Sequence, residues 1–186
     1  MKLIPIFTPS NLEEGIWSIQ LDGKDRSELD LFFDAINDIE WLHNFFELNE
    51  ADLDTGYYGN ITIDQAVLKT LEEAEEVEDT LYDYTEQGFM NGPHQLQHLF
   101  KPLNNFEYYI SIYQKSKARI KYGWLRIYAI RIAKNCYVVT GGSIKLTRDM
   151  KREHLNKELK KLEQTKMFLK DHGIDYPEDL NTYSNE

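Results

Sequence analysis

The chain has 186 residues, 41% of them hydrophobic and 13% aromatic, with a formal net charge of −11. That is enough apolar material to bury a core without staples, and it excludes a disordered chain. No run of 18 apolar residues is present, so no transmembrane helix is expected.

Residues 1–7 form a short apolar run that reads as a strand. Residues 16–21 partly alternate and end in Asp22-Gly23, a turn signal, so the two runs are expected to pair as a hairpin across a 9–15 loop. A helical pattern then runs over 27–48, with Leu29, Phe32, Phe33, Ile36, Ile39, Leu42, Phe45 and Phe46 at spacings of three and four and Ser27 or Asp25 as its cap. Residues 54–60 (DTGYYGN) read as a loop. A second helix is expected over 63–87, with Val67, Leu71, Ala74, Val77, Leu81 and Tyr84 as its apolar stripe. The acidic residues Glu72, Glu73, Glu75, Glu76, Glu78 and Asp79 take its solvated faces, and Gly88 stops it. A short helix follows at 95–100.

The second half reads as a meander. Residues 106–113 are rich in Tyr and Ile, and 124–132 (WLRIYAIRI) is the clearest strand. A tight turn at 133–135 leads to 136–140, Gly141-Gly142 breaks or bulges that strand, and 143–147 follows. A last helix is expected over 150–172, with Leu155, Leu159, Leu162 and Leu169 as its stripe and Gly173-Ile174 as its C-cap. Residues 176–186 read as a loose tail. The pattern is α+β: an antiparallel sheet of about 4–6 strands packed against two helices, with a C-terminal helix. By segment, 1–62 is an acidic N-terminal extension with a strand pair and the first helix, 63–174 the core and 175–186 the tail, together one compact domain.

Charge is unevenly spread. Residues 1–93 carry a net −18 and residues 94–186 a net +7, with +12 between 101 and 170. The basic segment suits an anionic partner such as RNA, with the acidic helix as a built-in mask; alternatively the two halves only compensate each other. The start is broken at Pro5 and turns acidic at Glu13 and Glu14, unlike a secretory signal, and a single cysteine fits a reducing, cytoplasmic setting. Cys136, within CYVVT, reads as a buried small apolar residue. His94 and His98 have helical spacing but no third ligand nearby, so no metal site is expected, and no cofactor motif is found.

Alternation in 124–132 puts Leu125, Ile127, Ala129 and Arg131 on one sheet face and Trp124, Arg126, Tyr128 and Ile130 on the other. The same rule sets Ser143, Lys145 and Thr147 against Ile144 and Leu146. Arg126, Tyr128 and Lys145 are therefore expected to converge on one exposed face. Lys115, Lys117, Arg119 and Lys121 lie just before it, and Arg148, Lys151, Arg152, His154 and Lys157 follow. Such a set binds phosphate and offers rings to bases. It could also cleave RNA, since attack by a ribose 2′-hydroxyl needs cations on the phosphorane and groups that move protons.

Segment 88–163 resembles the RelE/HigB-type toxins of bacterial toxin–antitoxin pairs, especially their phage-derived branch. The resemblance lies in the order of Leu99-Phe100-Lys101-Pro102-Leu103, the strand 125–132 with Tyr128 and Arg131, Ile144-Lys145-Leu146-Thr147, and Lys157-Glu158-Leu159 opening the last helix. The family's paired lysines are Lys145-Leu146 here, and its acidic strand position is Ala129. The resemblance implies a RelE-like fold and a ribosome-dependent, metal-free mRNA endonuclease neutralised by an antitoxin, often of helix-turn-helix type. On that basis Arg126, Lys145, Tyr128 and His154 are the candidate catalytic residues. Lys101, Lys117, Arg119, Arg131, Arg148, Lys151 and Arg152 are candidate RNA contacts. The alternative is a non-catalytic module binding RNA, the ribosome or a protein on the same fold.

Overall fold

Local signals set the element ends in the computed structural model, which describes residues 1–8, 14–54, 58–104, 111–119 and 123–184. Ser27 accepts the Asp30 N–H and opens α1 (Glu28–Asn37). The single helix expected over 27–48 is broken at Asp38. That residue turns extended, and its carboxylate accepts the Trp41 N–H to start α2 (Ile39–Leu48). A short α3 (Glu50–Leu53) follows. Thr62 and Gln65 form a reciprocal capping box for α4 (Ile63–Phe89). After α5 (Leu96–Leu99) come four strands, β3 (Lys101–Pro102), β4 (Gln114–Ala118), β5 (Leu125–Ala133) and β6 (Cys136–Ile144). Strands β1 (Lys2–Phe7) and β2 (Gly15–Gln20) stand at the start of the chain, and α6 (Glu153–Asp171) and α7 (Pro177–Ser184) at its end. The 106–113 run lies mostly outside the described residues, as does Lys121.

The α+β class holds, with six strands in the order β1-β2-β6-β5-β4-β3. One pairing departs from the antiparallel expectation: β2 runs parallel to β6, Gly15 opposite Cys136 and Ser18 opposite Val139. The Gly15 N–H reaches the Asn135 carbonyl at 2.7 Å, so the N-terminal hairpin joins the central sheet. Residues 175–184, expected to be loose, contain α7, whose Leu180 is fully buried. Gly173, at φ 63°, ends α6, and the Ile174 N–H returns to the Leu169 carbonyl at 2.9 Å, as its sequence predicts.

Both faces of the sheet are covered. One carries Ile16, Ile127, Ala129, Val139 and Ile144 against Leu29 and Ile36 of α1, Phe46 of α2, and Val67, Ala74 and Leu81 of α4. The other carries Trp17, Tyr128, Ile130 and Val138 against Leu162 and Leu169 of α6 and Leu180 of α7. The face expected to be exposed is therefore largely under α6: Tyr128 and Ile130 are at most 1% accessible. Trp124 also departs from strict alternation. It precedes β5 and turns toward α4, where its indole N–H meets the Thr70 hydroxyl at 3.1 Å. Cys136 is buried, and burial pushes its thiol up. Among the described residues, no helix is long and apolar enough to cross a membrane.

Candidate anion-binding cleft

The placement of Arg126 begins on the opposite face of the sheet. Glu73, expected on a solvated face of α4, is buried. Its two carboxylate oxygens accept the Trp124 N–H at 3.0 Å and the Leu125 N–H at 2.7 Å. Burial raises the Glu73 carboxyl, while those two N–H groups and Arg126 act against the rise. The clamp fits only because position 123 is glycine: a Cβ there would run into the Glu73 carboxylate. It fixes the entry to β5, and two residues further on Arg126 turns to the α6 face.

Arg126, Tyr128 and Lys145 do converge there. They line a cleft of about 550 Å³ together with Lys117, Arg119 and Arg148. Tyr58, Leu103, Thr147, Met150 and Leu159 complete the wall. Cross-strand pairing accounts for the meeting: Lys117 stands opposite Tyr128, and Arg126 opposite Ser143. The Tyr58 hydroxyl donates to the Lys145 carbonyl at 2.9 Å and ties the 58–60 loop to the rim. Tyr128 sits on the floor, its hydroxyl 3.4 Å from the Ser143 Oγ and 3.7 Å from the Met150 Sδ.

Five cations line this cleft, and no carboxylate does among the described residues. Arg126 is only 7% accessible. Its guanidinium donates to the carbonyls of Leu125 at 2.6 Å and Gly123 at 3.0 Å. The Lys145 ammonium donates to the Thr147 carbonyl and, at 2.8 Å, to that of Arg148. The Lys117 ammonium donates to the Leu103 carbonyl at 3.3 Å. Burial, then the charges of Arg126 and Lys117, lowers the Lys145 ammonium below its ordinary value. Burial, then Arg126 and Arg119, does the same to Lys117. Burial pushes the Tyr128 phenol up. Chemically this is a concave surface short of negative charge, with two lysines eased toward neutrality.

The remaining candidates lie elsewhere. Lys101 is exposed on the edge strand, directly opposite Lys117, and extends the basic surface without lining the cleft. Arg131 is on the α4 face and bonds to Tyr137. Lys151 is exposed near Asp149, and Arg152 makes a two-point pair with Asp52, one arm at 2.8 Å. His154 leaves the cleft altogether. Its Nε2 is 3.0 Å from the Ile144 carbonyl, its ring stands edge-on to Phe45, and burial lowers its pKa. Residues such as Tyr58, Met150 and Glu73 carry no signal in a single sequence: a loop tyrosine, an isolated methionine and one glutamate among five neighbouring acids look ordinary.

No protein-family model, no curated protein and no solved structure matches this chain.

Proposed function

We propose that the cleft binds the sugar–phosphate backbone of RNA, and that the chain is a RelE/HigB-like toxin component that cleaves messenger RNA without metal on the ribosome and is held in check by an antitoxin. One observation carries the binding reading: Arg126 is buried among further cations, and among the described residues no carboxylate bonds to it, Glu73 acting on it only from across the sheet. Burying a charge without a counter-ion is costly. A phosphate would supply the missing charge, and a guanidinium suits its geometry.

The cleavage step follows from the same groups. A lysine shifted toward neutrality, Lys145 or Lys117, takes the proton of the ribose 2′-hydroxyl. The 2′-oxygen bonds to phosphorus while the bond to the 5′-oxygen breaks. Arg126 and Arg119 offset the charge on the phosphorane. The departing 5′-oxygen takes a proton from the other of these two lysines, in its ammonium form, leaving a 2′,3′-cyclic phosphate and a 5′-hydroxyl. The burial of Tyr128 and the position of His154 favour a second reading, RNA binding without cleavage, because they leave few groups to move protons.

Inducible expression in a bacterial host, with growth and new messenger-RNA 5′ ends recorded, tests the first reading. Growth arrest with new ends, lost in Lys145→Ala, is the expected result. Normal growth and no new ends, together with RNA binding by the purified protein, would leave the binding module. Absence of RNA binding would remove both.

A further inference from the structure

Behind the floor of the cleft lies a second group of charges. Gly141 stands directly opposite Tyr128 across the β5–β6 ladder, so the two positions face the same side of the sheet. Gly141 has φ 142°, and the space its side chain would fill is occupied from α6: a Cβ would fall 2.6 Å from the Glu158 Oε2 and collide with the Lys161 ammonium. Lys161 bonds at 2.7 Å to the Glu158 Oε1 and at 2.7 Å to the Glu28 Oε2 of α1. Glu158 and Glu28 are 6% and 8% accessible. Two buried carboxylates thus share one ammonium, and the Glu158 Oε2 is buried with no hydrogen-bond partner. The trio is one positive charge short, and an oxygen without a donor is where a proton belongs.

We infer that Glu158 is the proton-holding residue of the cleft, taking up a proton when an RNA phosphate binds on the other side of Tyr128. This rests on the RNA-binding reading. Glu158 adjoins Leu159 of the cleft wall, and Tyr128 lies in the fields of both Arg126 and Glu158. On this inference the negative charge of a bound phosphate reaches Glu158 across Tyr128, which feels both Arg126 and Glu158, and the carboxyl gains its proton. The titratable groups facing Glu158 are Lys161 of its own helix, Glu28 of α1 and Tyr128 of β5, while β6 brings Gly141 against it and Ser143 to Tyr128. Burial, with Glu28 adding to it and Lys161 opposing it, places the carboxyl at about 7. The exchange therefore falls at neutral pH. Glu158 acts through Tyr128 and is a positioning residue.

The test is calorimetric titration with a single-stranded RNA hexanucleotide at pH 6, 7 and 8, in buffers of differing ionisation enthalpy. Binding should take up about half a proton at pH 7 and tighten roughly three- to tenfold from pH 8 to pH 6. Glu158→Gln should remove most of the uptake between pH 6 and 7 and flatten the profile there, because an amide mimics the protonated acid; any share from Lys145 and Lys117 stays at the alkaline end. Glu28→Gln, which leaves one carboxylate per ammonium, should also shrink the uptake at pH 7 and serves if the first variant fails to fold. Binding with no proton uptake in the wild type would overturn this inference and leave the RNA reading standing, as would an unaltered pH profile in a folded Glu158→Gln. No binding at any pH would overturn both.

Discussion

Arg126 and Glu73 are two charged side chains on opposite faces of the sheet with opposite reasons to be buried. Glu73 has two backbone N–H donors to satisfy it; Arg126 has only carbonyls, in a ring of like charge. Removal should therefore act in opposite directions. Glu73→Ala leaves two buried N–H groups without acceptors and is expected to cost about 2–4 kcal/mol, read as a lower urea midpoint with unchanged slope. A loss below about 0.5 kcal/mol would show that the clamp does not hold the entry to β5. Arg126→Leu removes a buried, unneutralised charge. It is expected to leave stability unchanged or raise it by about 1 kcal/mol, while RNA affinity in a filter-binding assay falls at least roughly tenfold. A clear drop in stability would instead mark Arg126 as a structural residue of the sheet.

At the level of elements, the close approach of α1 to β6 is what positions the Lys145 end of the cleft. The ring of Phe32 lies against Gly142, where a Cβ would fall 2.5 Å from two ring atoms. Gly142→Ala should therefore displace α1 or β6 and destabilise the chain by about 1–3 kcal/mol, with a matching fall in thermal midpoint; a neutral effect would mean that Phe32 swings aside freely. Strands β1, β2 and β5 and the start of β6 were readable in advance because a two-residue period is local, but β4 (Gln114–Ala118) was not, and β6 runs on through Gly141 and Gly142 to Ile144 instead of breaking there. The extra residue of β6 is Thr140, with Tyr128 opposite Gly141 and Ala129 opposite Val139. What was not readable is non-local or masked by a stronger pattern. The apolar spacing through 27–48 runs unbroken over Asp38, whose capping role shows only once its backbone turns extended. The parallel match of β2 to β6 joins residues about 120 positions apart, beyond the reach of any periodicity. Arg126, Tyr128 and Lys145 could be placed on one face by parity, but parity cannot tell that α6 covers much of that face.

The whole molecule separates its charges across the sheet. The acidic α4 lies on the face opposite the cleft, so it cannot lie over the basic face as a mask. The titration of Glu158 adds a global pH effect. Its folded value of about 7 lies above the ordinary carboxyl value of roughly 4.3. The native state therefore holds this proton more tightly than the unfolded chain. Its contribution is full below the unfolded value and is lost as pH rises through 7. Between pH 5 and 8 the wild type should lose on the order of 2 kcal/mol relative to Glu158→Gln, measured by denaturant unfolding of both across that range; parallel curves would show that Glu158 titrates normally. The acidic face gives the last prediction. Glu72, Glu75 and Glu76 are exposed on α4, on the side of the sheet opposite the cleft, at least one packing layer of about 10 Å from it. The screening length is about 8 Å at physiological ionic strength. Reversing these three to lysine should therefore change RNA affinity for the cleft less than about twofold at that salt. Binding itself should weaken with added salt at a log–log slope near −2 to −3.5, as about three to five phosphate contacts on a single strand require. A shallow slope would mean that the five cations do not meet phosphate. A large gain from the charge reversal would mean that the RNA path runs around the sheet edge to α4 rather than staying on the cleft face.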